Sequence, residues 1–301
     1  MQDVERGTTK RAQVADEIAK ICCFRSPDGV QLIADELGPA RAPVVILLHG
    51  GGQTRHSWSG AMHALAARGY RVINFDARGH GDSDWSDIGA YELDDRVADL
   101  QTIVASLECP FALVGASLGG GTAIHAVARG MSPTAVVLVD IVPSPEKSGV
   151  DRIVNFMRAN PDGFSSLDEA VDAVAAYNPD RPRPSDPSGL MRNLRLRENG
   201  RLYWHWDPQI TAMKSGPHHE LVKHSAVTMA RREDIPVLLV RGLKSDVVSD
   251  AGVAAFLELL PRLEVADVNG AGHMVAGDRN DAFNASVITF LEHHLPLAAA
   301  A

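Results

Sequence analysis

A serine held between glycines can act as a nucleophile if the chain also supplies a base and an anion-binding loop. The stretch Val114–Gly121 reads VGASLGGG, with Ser117 between Gly115 and Gly119. An apolar run precedes it and helical spacing follows, so Ser117 falls on a sharp strand-to-helix turn of the G-x-S-x-G kind. Such a turn strains the serine backbone and sets its hydroxyl near the positive end of a helix. A hydroxyl is a poor nucleophile until a base takes its proton. Of the 12 histidines, His273 is the candidate base, because VNGAGHMVAGD is a glycine-rich loop just after the last strand run. The histidines on helical runs, His125, His293 and His294, read as solvated surface groups.

The imidazole needs a carboxylate to fix its tautomer. Two compete: Asp246, after PVLLVRGLKSD, and Asp140, at the end of AVVLVD. Parallel strands share their C-terminal edge, so both reach the side of the sheet that carries Ser117. The chain order serine, acid, histidine favours the later one. Asp246 is therefore expected to orient His273. Asp140 is the alternative acid, otherwise a cap or pocket-floor carboxylate. The loop LLHGGGQTRHSW lets backbone N–H groups approach a developing oxyanion. Gly51 and Leu118, the residue after the nucleophile, are the expected donors. Gly52, Trp204 and Met274 are the expected substrate contacts, Trp204 because aromatic side chains line apolar pockets.

No metal site emerges. In HHELVKH, His219 and His224 are five apart and face different sides of a helix, whereas the zinc motif needs four. That run reads as a polar surface helix. GDSDWSD lacks the glycine and terminal glutamate of a calcium loop. Neither a metal nor an organic cofactor is expected.

Elements able to position these residues are legible. CCFRSPDGVQLIADEL reads as a hairpin turning at Asp28-Gly29. Buried strands follow at 44–48, 71–75, 111–115, 135–139, 236–240 and 263–268, with helical spacing between them. Continuous apolar strands alternating with helices predict an α/β fold, a mostly parallel eight-stranded sheet with helices on both faces. The alternation breaks between Asp140 and Pro236. There Ser166 and Glu169 form a capping box ahead of a helix, PDRPRPSDPSG is a connector, and GLMRNLRLRENG reads as a helix closed by Asn199-Gly200. LYWHWDP has half-buried strand spacing, which reads first as packing within the cap, with a substrate-facing Trp204 as the alternative. The expected organisation is an N-terminal arm (1–18), a core (19–141 and 231–301) and an inserted helical cap, or lid (142–230).

A net charge of −9 argues against a nucleic-acid or anionic-membrane partner. Cys22, Cys23 and Cys109 are too few and too oddly placed for a disulfide framework. With no apolar signal core at the N-terminus and no run of membrane-spanning length, the expectation is a cytoplasmic protein. A homodimer is left open.

Taken together, the HGGG loop, NFDARGHGDSD, GASLGG, GLKSD and GAGHM resemble the α/β-hydrolase superfamily from about Cys23 to Leu297. The resemblance is to its serine branch with a helical cap: lidded esterases, cofactor-free haloperoxidase-like perhydrolases and carbon–carbon bond hydrolases. It implies that Asp76–Asp84 is a structural loop beneath the site. Epoxide hydrolases and haloalkane dehalogenases carry aspartate at the elbow, where this chain has Ser117. Haloperoxidase-like members carry an aromatic residue and a proline after HG, where this chain has Gly51 and Gly52. The sequence reading is thus an ester-bond hydrolase of the carboxylesterase kind (EC 3.1.1). It would act on a small to medium carboxylic ester or lactone through an acyl-enzyme on Ser117. Carbon–carbon cleavage or perhydrolysis on the same triad is the alternative. A low-turnover ligand receptor or regulator on the same scaffold is the alternative of another class.

Overall fold

Eight strands form the central sheet: Lys20–Arg25 (β1), Gln31–Leu37 (β2), Val44–Leu48 (β3), Arg71–Phe75 (β4), Phe111–Ala116 (β5), Ala135–Val139 (β6), Val237–Gly242 (β9) and Glu264–Val268 (β10). Strands β3 and β6 are buried at every position, as strands covered on both faces must be. The sheet order is β1-β2-β4-β3-β5-β6-β9-β10. From β4 to β10 the pairing is parallel, and β2 alone runs against its neighbours β1 and β4. The β1–β2 hairpin turns through Gly29, whose φ of 93° is easy only for glycine. The computed structural model describes residues 18–179, 183, 185–212, 215–273, 275 and 280–297. The expected arm falls outside these residues except for Ile18.

Helices cover both faces. Leu93–Val104 (α2), Leu118–Ala128 (α3), Ser215–Ala230 (α7) and Asp250–Leu259 (α8) pack one face with Leu100, Ile124, Met229 and Phe256. Ser59–Ala66 (α1) and the C-terminal helix Asn280–His294 pack the other with Met62, Phe283 and Leu291. Each such fully buried side chain contributes about 1.5–3 kcal/mol. Among the described residues, no helix is long and apolar enough to cross a membrane.

The segment between β6 and β9 holds Lys147–Arg158 (α4), Leu167–Tyr177 (α5), Leu194–Leu196 (β7), Leu202–Trp204 (β8), Gln209–Ala212 (α6) and α7. Helix α5 is capped by Ser166, whose hydroxyl accepts the Glu169 N–H, but the expected capping box is only half formed, because the Glu169 carboxylate accepts the Ser165 N–H instead of that of Ser166. Two further expectations are corrected here. GLMRNLRLRENG is a 3₁₀ turn, Pro187–Asn193, and then a strand. Asn199-Gly200, with Gly200 at φ 75°, turns a β7–β8 hairpin and does not close a helix. Asn-Gly favours the tight hairpin turn, and Leu194 and Leu196 alternate toward their partners. HHELVKH, read as a polar surface run, opens a helix whose Val222, Ala226 and Met229 sit in the sheet core. The segment therefore packs in two places. Met157, Phe164, Leu194, Leu202, Trp204 and Trp206 form a cluster separate from the two cores of the sheet.

Candidate active site

The elbow after β5 is fixed by backbone approach. Ser117 has φ 45° and ψ −110°, in the left-handed region that disfavours non-glycine residues. A Cβ on Gly115 would lie 2.5 Å from the Gly119 carbonyl oxygen, and one on Gly119 would lie 2.3 Å from that of Leu48. Neither site admits a side chain without backbone movement, which explains the glycines of the motif. Strain of this kind costs about 1–3 kcal/mol per residue and gathers at functional sites. Among the described residues, the non-glycine positive-φ positions are Ser117, Asp140 and Asn160.

Asp140 lies at the end of β6 and is fully buried. Its Oδ1 accepts the Gly242 N–H at 3.1 Å. Its Oδ2 accepts the Ser245 hydroxyl at 2.5 Å and His273 Nδ1–H at 2.6 Å. His273 comes from the loop after β10, as its sequence context implies. The expectation that Asp246 orients this imidazole is corrected. Asp246 instead pairs with Arg152 at 3.0 Å in a half-exposed ion pair. The physical reason is local: β9 ends at Gly242, and the following turn brings Ser245, not Asp246, to the Asp140 carboxylate. Gly242 is needed there, since a Cβ would meet the Gly272 carbonyl oxygen at 2.3 Å.

The glycine loop after β3 has three candidate N–H donors. Gly50 N–H is taken by the Gln53 side chain at 3.0 Å, and Gly52 N–H by His80 Nε2 at 3.2 Å. Among the described residues, Gly51 and Leu118 N–H have no acceptor, and both residues line one cavity with Ser117. A buried histidine set supports this loop, and the sequence reading does not find it. His49 Nδ1–H donates to Gly50 O while its Nε2 accepts Ala77 N–H. His80 Nδ1–H donates to Arg78 O. His205 Nδ1 accepts Gly81 N–H at 2.7 Å, and its Nε2–H faces Gly52 O. Each ring accepts with one nitrogen and donates with the other, which only a neutral imidazole can do. Burial lowers all three, His205 to about 3 and His80 well below the ordinary value.

The Asp76–Asp84 loop is bound into the scaffold. Asp76 is fully buried and holds the Arg55 N–H, the Arg55 guanidinium and the Asp82 N–H. Another expectation is corrected at His125. It is buried, with Nδ1 on the Ser225 hydroxyl at 2.8 Å and Nε2 on Asp94 at 3.0 Å.

Two cavities meet at Ser117. One, of about 230 Å³, also has His273, Gly52, Phe156, Trp204 and Trp206 on its wall. Trp204 stacks on Trp206 with ring centroids 4.9 Å apart. The other, of about 190 Å³, runs under α4 and has Arg96, Val150, His218 and Val222 on its wall. Gly51 and Met157 border both. Met274 lies outside the described residues.

Residues 45–286 match the model of the alpha/beta hydrolase family, and the chain belongs to that family. It is 32% identical over 254 residues to an esterase of Mycobacterium tuberculosis, covering 79% of each chain. It is 29% identical over 279 residues to the non-heme chloroperoxidase of Streptomyces lividans, covering 88% of this chain and 97% of that one. The crystal structure of E-2-(acetamidomethylene)succinate hydrolase superposes with a TM-score of 0.78 at 25% identity, covering 91% of this chain and all of that one. The protein is thus a hydrolase of the α/β-hydrolase fold.

Proposed function

We propose that the protein is a serine hydrolase that cleaves a carboxylic ester or lactone through an acyl-enzyme on Ser117. One observation carries this reading. His273 Nδ1–H donates to the buried Asp140, which turns Nε2 to the role of base, and His273 shares a cavity with Ser117. His273 takes the Ser117 proton as Oγ attacks the carbonyl carbon, and Gly51 and Leu118 N–H receive the oxyanion. The same imidazole then protonates the departing oxygen, and water repeats the sequence to release the acid. Because His273 must reach the leaving group, the alcohol side occupies the aromatic cavity beside it. The acyl side occupies the cavity under α4. The segment 142–230 acts as the cap that walls both cavities. The esterase relative supports an ester as the bond cleaved.

The test is multiple turnover of nitrophenyl butyrate. Ser117→Ala should lower kcat by about 10⁴–10⁶. A variant that keeps more than about a tenth of wild-type activity would refute the assignment. A single burst of nitrophenol without turnover would favour a ligand receptor on this scaffold.

A further inference from the structure

Arg96 is a cation that the fold buries and leaves incompletely paired. It stands on α2 and is 5% exposed. Its Nε–H donates to the Tyr91 carbonyl at 3.1 Å, but Nη1 is buried and has no acceptor among the described residues. Two carboxylates act on it, Asp99 more strongly than Asp95, and both are already engaged, Asp95 by the Glu92 N–H. Asp99 binds Nε and Nη2 of Arg78, both at 2.7 Å, and also the Ser26 hydroxyl. A buried charge without a matched partner destabilises a fold, so Arg96 stands where a ligand would complete its pairing.

Its surroundings indicate which ligand. Arg96 is on the wall of the cavity that holds Ser117, Leu118 and Gly51, and that wall is otherwise largely apolar. His218 is on the same wall. Burial and then the charge of Arg96 lower His218 to about 4, so its ring is neutral at pH 7 and can donate an N–H. Burial also lowers Arg96, to about 10, which leaves it cationic at that pH. Asp140, the carboxylate on this wall, has its oxygens filled by Gly242, Ser245 and His273. An acyl chain anchored at Ser117 and extending into this cavity therefore meets an unsatisfied guanidinium.

We propose that the acyl group of the substrate carries a second carboxylate, bound by Arg96 with His218 beside it, so that the substrate is a monoester of a dicarboxylic acid. This rests on the reading of Ser117 as the nucleophile. The reaction balances as monoester plus water giving the free dicarboxylic acid and the alcohol. The Ser117–acyl bond forms as the ester C–O bond breaks, and the alcohol leaves with the proton held by His273.

The test compares the monophenyl esters of glutaric, adipic and pimelic acids with phenyl hexanoate, following phenol release. Hydrogen bonds to a buried charge predict a preference in kcat/KM of about tenfold to hundredfold for the best-fitting monoester. Arg96→Met should bring that ratio to about one, and Arg96→Lys should restore part of it. Free glutarate should raise the melting temperature of the wild type and not of Arg96→Met. Asp99 keeps Arg78 in that variant, so its own melting temperature should not fall. A purely structural arginine would give the reverse: a destabilised variant with an unchanged ratio. The proposal is overturned if the wild type shows no preference, or if Arg96→Met keeps it. If Arg96→Met does not fold, the wild-type ratio, the Arg96→Lys ratio and the glutarate shift decide. Covalent labelling of Ser117 by an organophosphonate, with turnover of phenyl hexanoate, reports separately on the nucleophile. Labelling without anion preference overturns the Arg96 proposal alone, and absence of both labelling and turnover overturns the two together.

Discussion

The substitution Asp140→Asn exchanges one oxygen for an NH₂ group and should nearly abolish activity. The carboxylate receives three hydrogen bonds: Gly242 N–H on Oδ1, and the Ser245 hydroxyl and His273 Nδ1–H on Oδ2. The Gly242 N–H belongs to the sheet edge and cannot turn, so the amide oxygen of the introduced side chain must face it. The amide NH₂ then points at His273 Nδ1, and Ser245 can rotate to accept from it. His273 can accept at Nδ1 only if its proton moves to Nε2, the atom that must receive the Ser117 proton. Tautomer reversal of this kind in a serine protease costs about 10⁴ in kcat, or about 5.5 kcal/mol of barrier. Asp246→Asn instead removes a half-exposed ion pair with Arg152, worth about 0–1 kcal/mol. Its kcat should stay within about threefold of wild type, a barrier change under about 1 kcal/mol. The assay is steady-state hydrolysis of nitrophenyl butyrate by both variants, each first shown to melt like the wild type. If Asp246→Asn is the inactive variant and Asp140→Asn stays within about tenfold of wild type, the reasoning fails.

Other expectations follow from the same contacts. Gly119→Ala places a Cβ 2.3 Å from the Leu48 carbonyl oxygen and should destabilise by about 3 kcal/mol or more. Gly121→Ala, whose nearest contact is 3.4 Å away, should be neutral or gain up to about 1 kcal/mol from helix propensity; in thermal melts only Gly119→Ala should lose stability. His80 and His205 are held neutral below their unfolded value of 6.5. Their contribution is therefore complete above about pH 6.5 and is lost as pH falls, at about 1.4 kcal/mol per group per pH unit. For His205 this loss runs down to about pH 3. Melting at pH 5.5 should fall on the order of 5–10 °C below that at pH 7.5, and a flat profile across that range would contradict the neutral-histidine network.

The sheet is readable in the sequence because its inner strands are short unbroken apolar runs, which only a sheet covered on both faces demands. Val44–Leu48 and Ala135–Val139 fall where their composition puts them. Ser117 and His273 are readable because glycines mark close backbone approach, and the contacts of Gly115 and Gly119 bear that out. The acid is not. Asp140 and Asp246 both follow strands on one edge, and the choice depends on how the turn after β9 is folded, which no spacing encodes. The β7–β8 hairpin escapes the sequence reading because the apolar residues 190 and 194 also fit a helical period, and Asn-Gly serves equally as a helix stop. Arg96 is invisible for a further reason. A lone arginine in a helical run looks solvated until the packing of α2 against α3 is known, and its unsatisfied Nη1 exists only in three dimensions.

In the proposed reaction the atom that becomes acylated is Ser117 Oγ. Rapid acid quench of the enzyme during nitrophenyl butyrate turnover, followed by peptide mass mapping, measures this. A butyryl group on the peptide containing Ser117, formed and lost at rates that match turnover and absent from Ser117→Ala, is the expected result. Steady turnover with no acyl adduct at Ser117, or with the adduct on another residue, would contradict it.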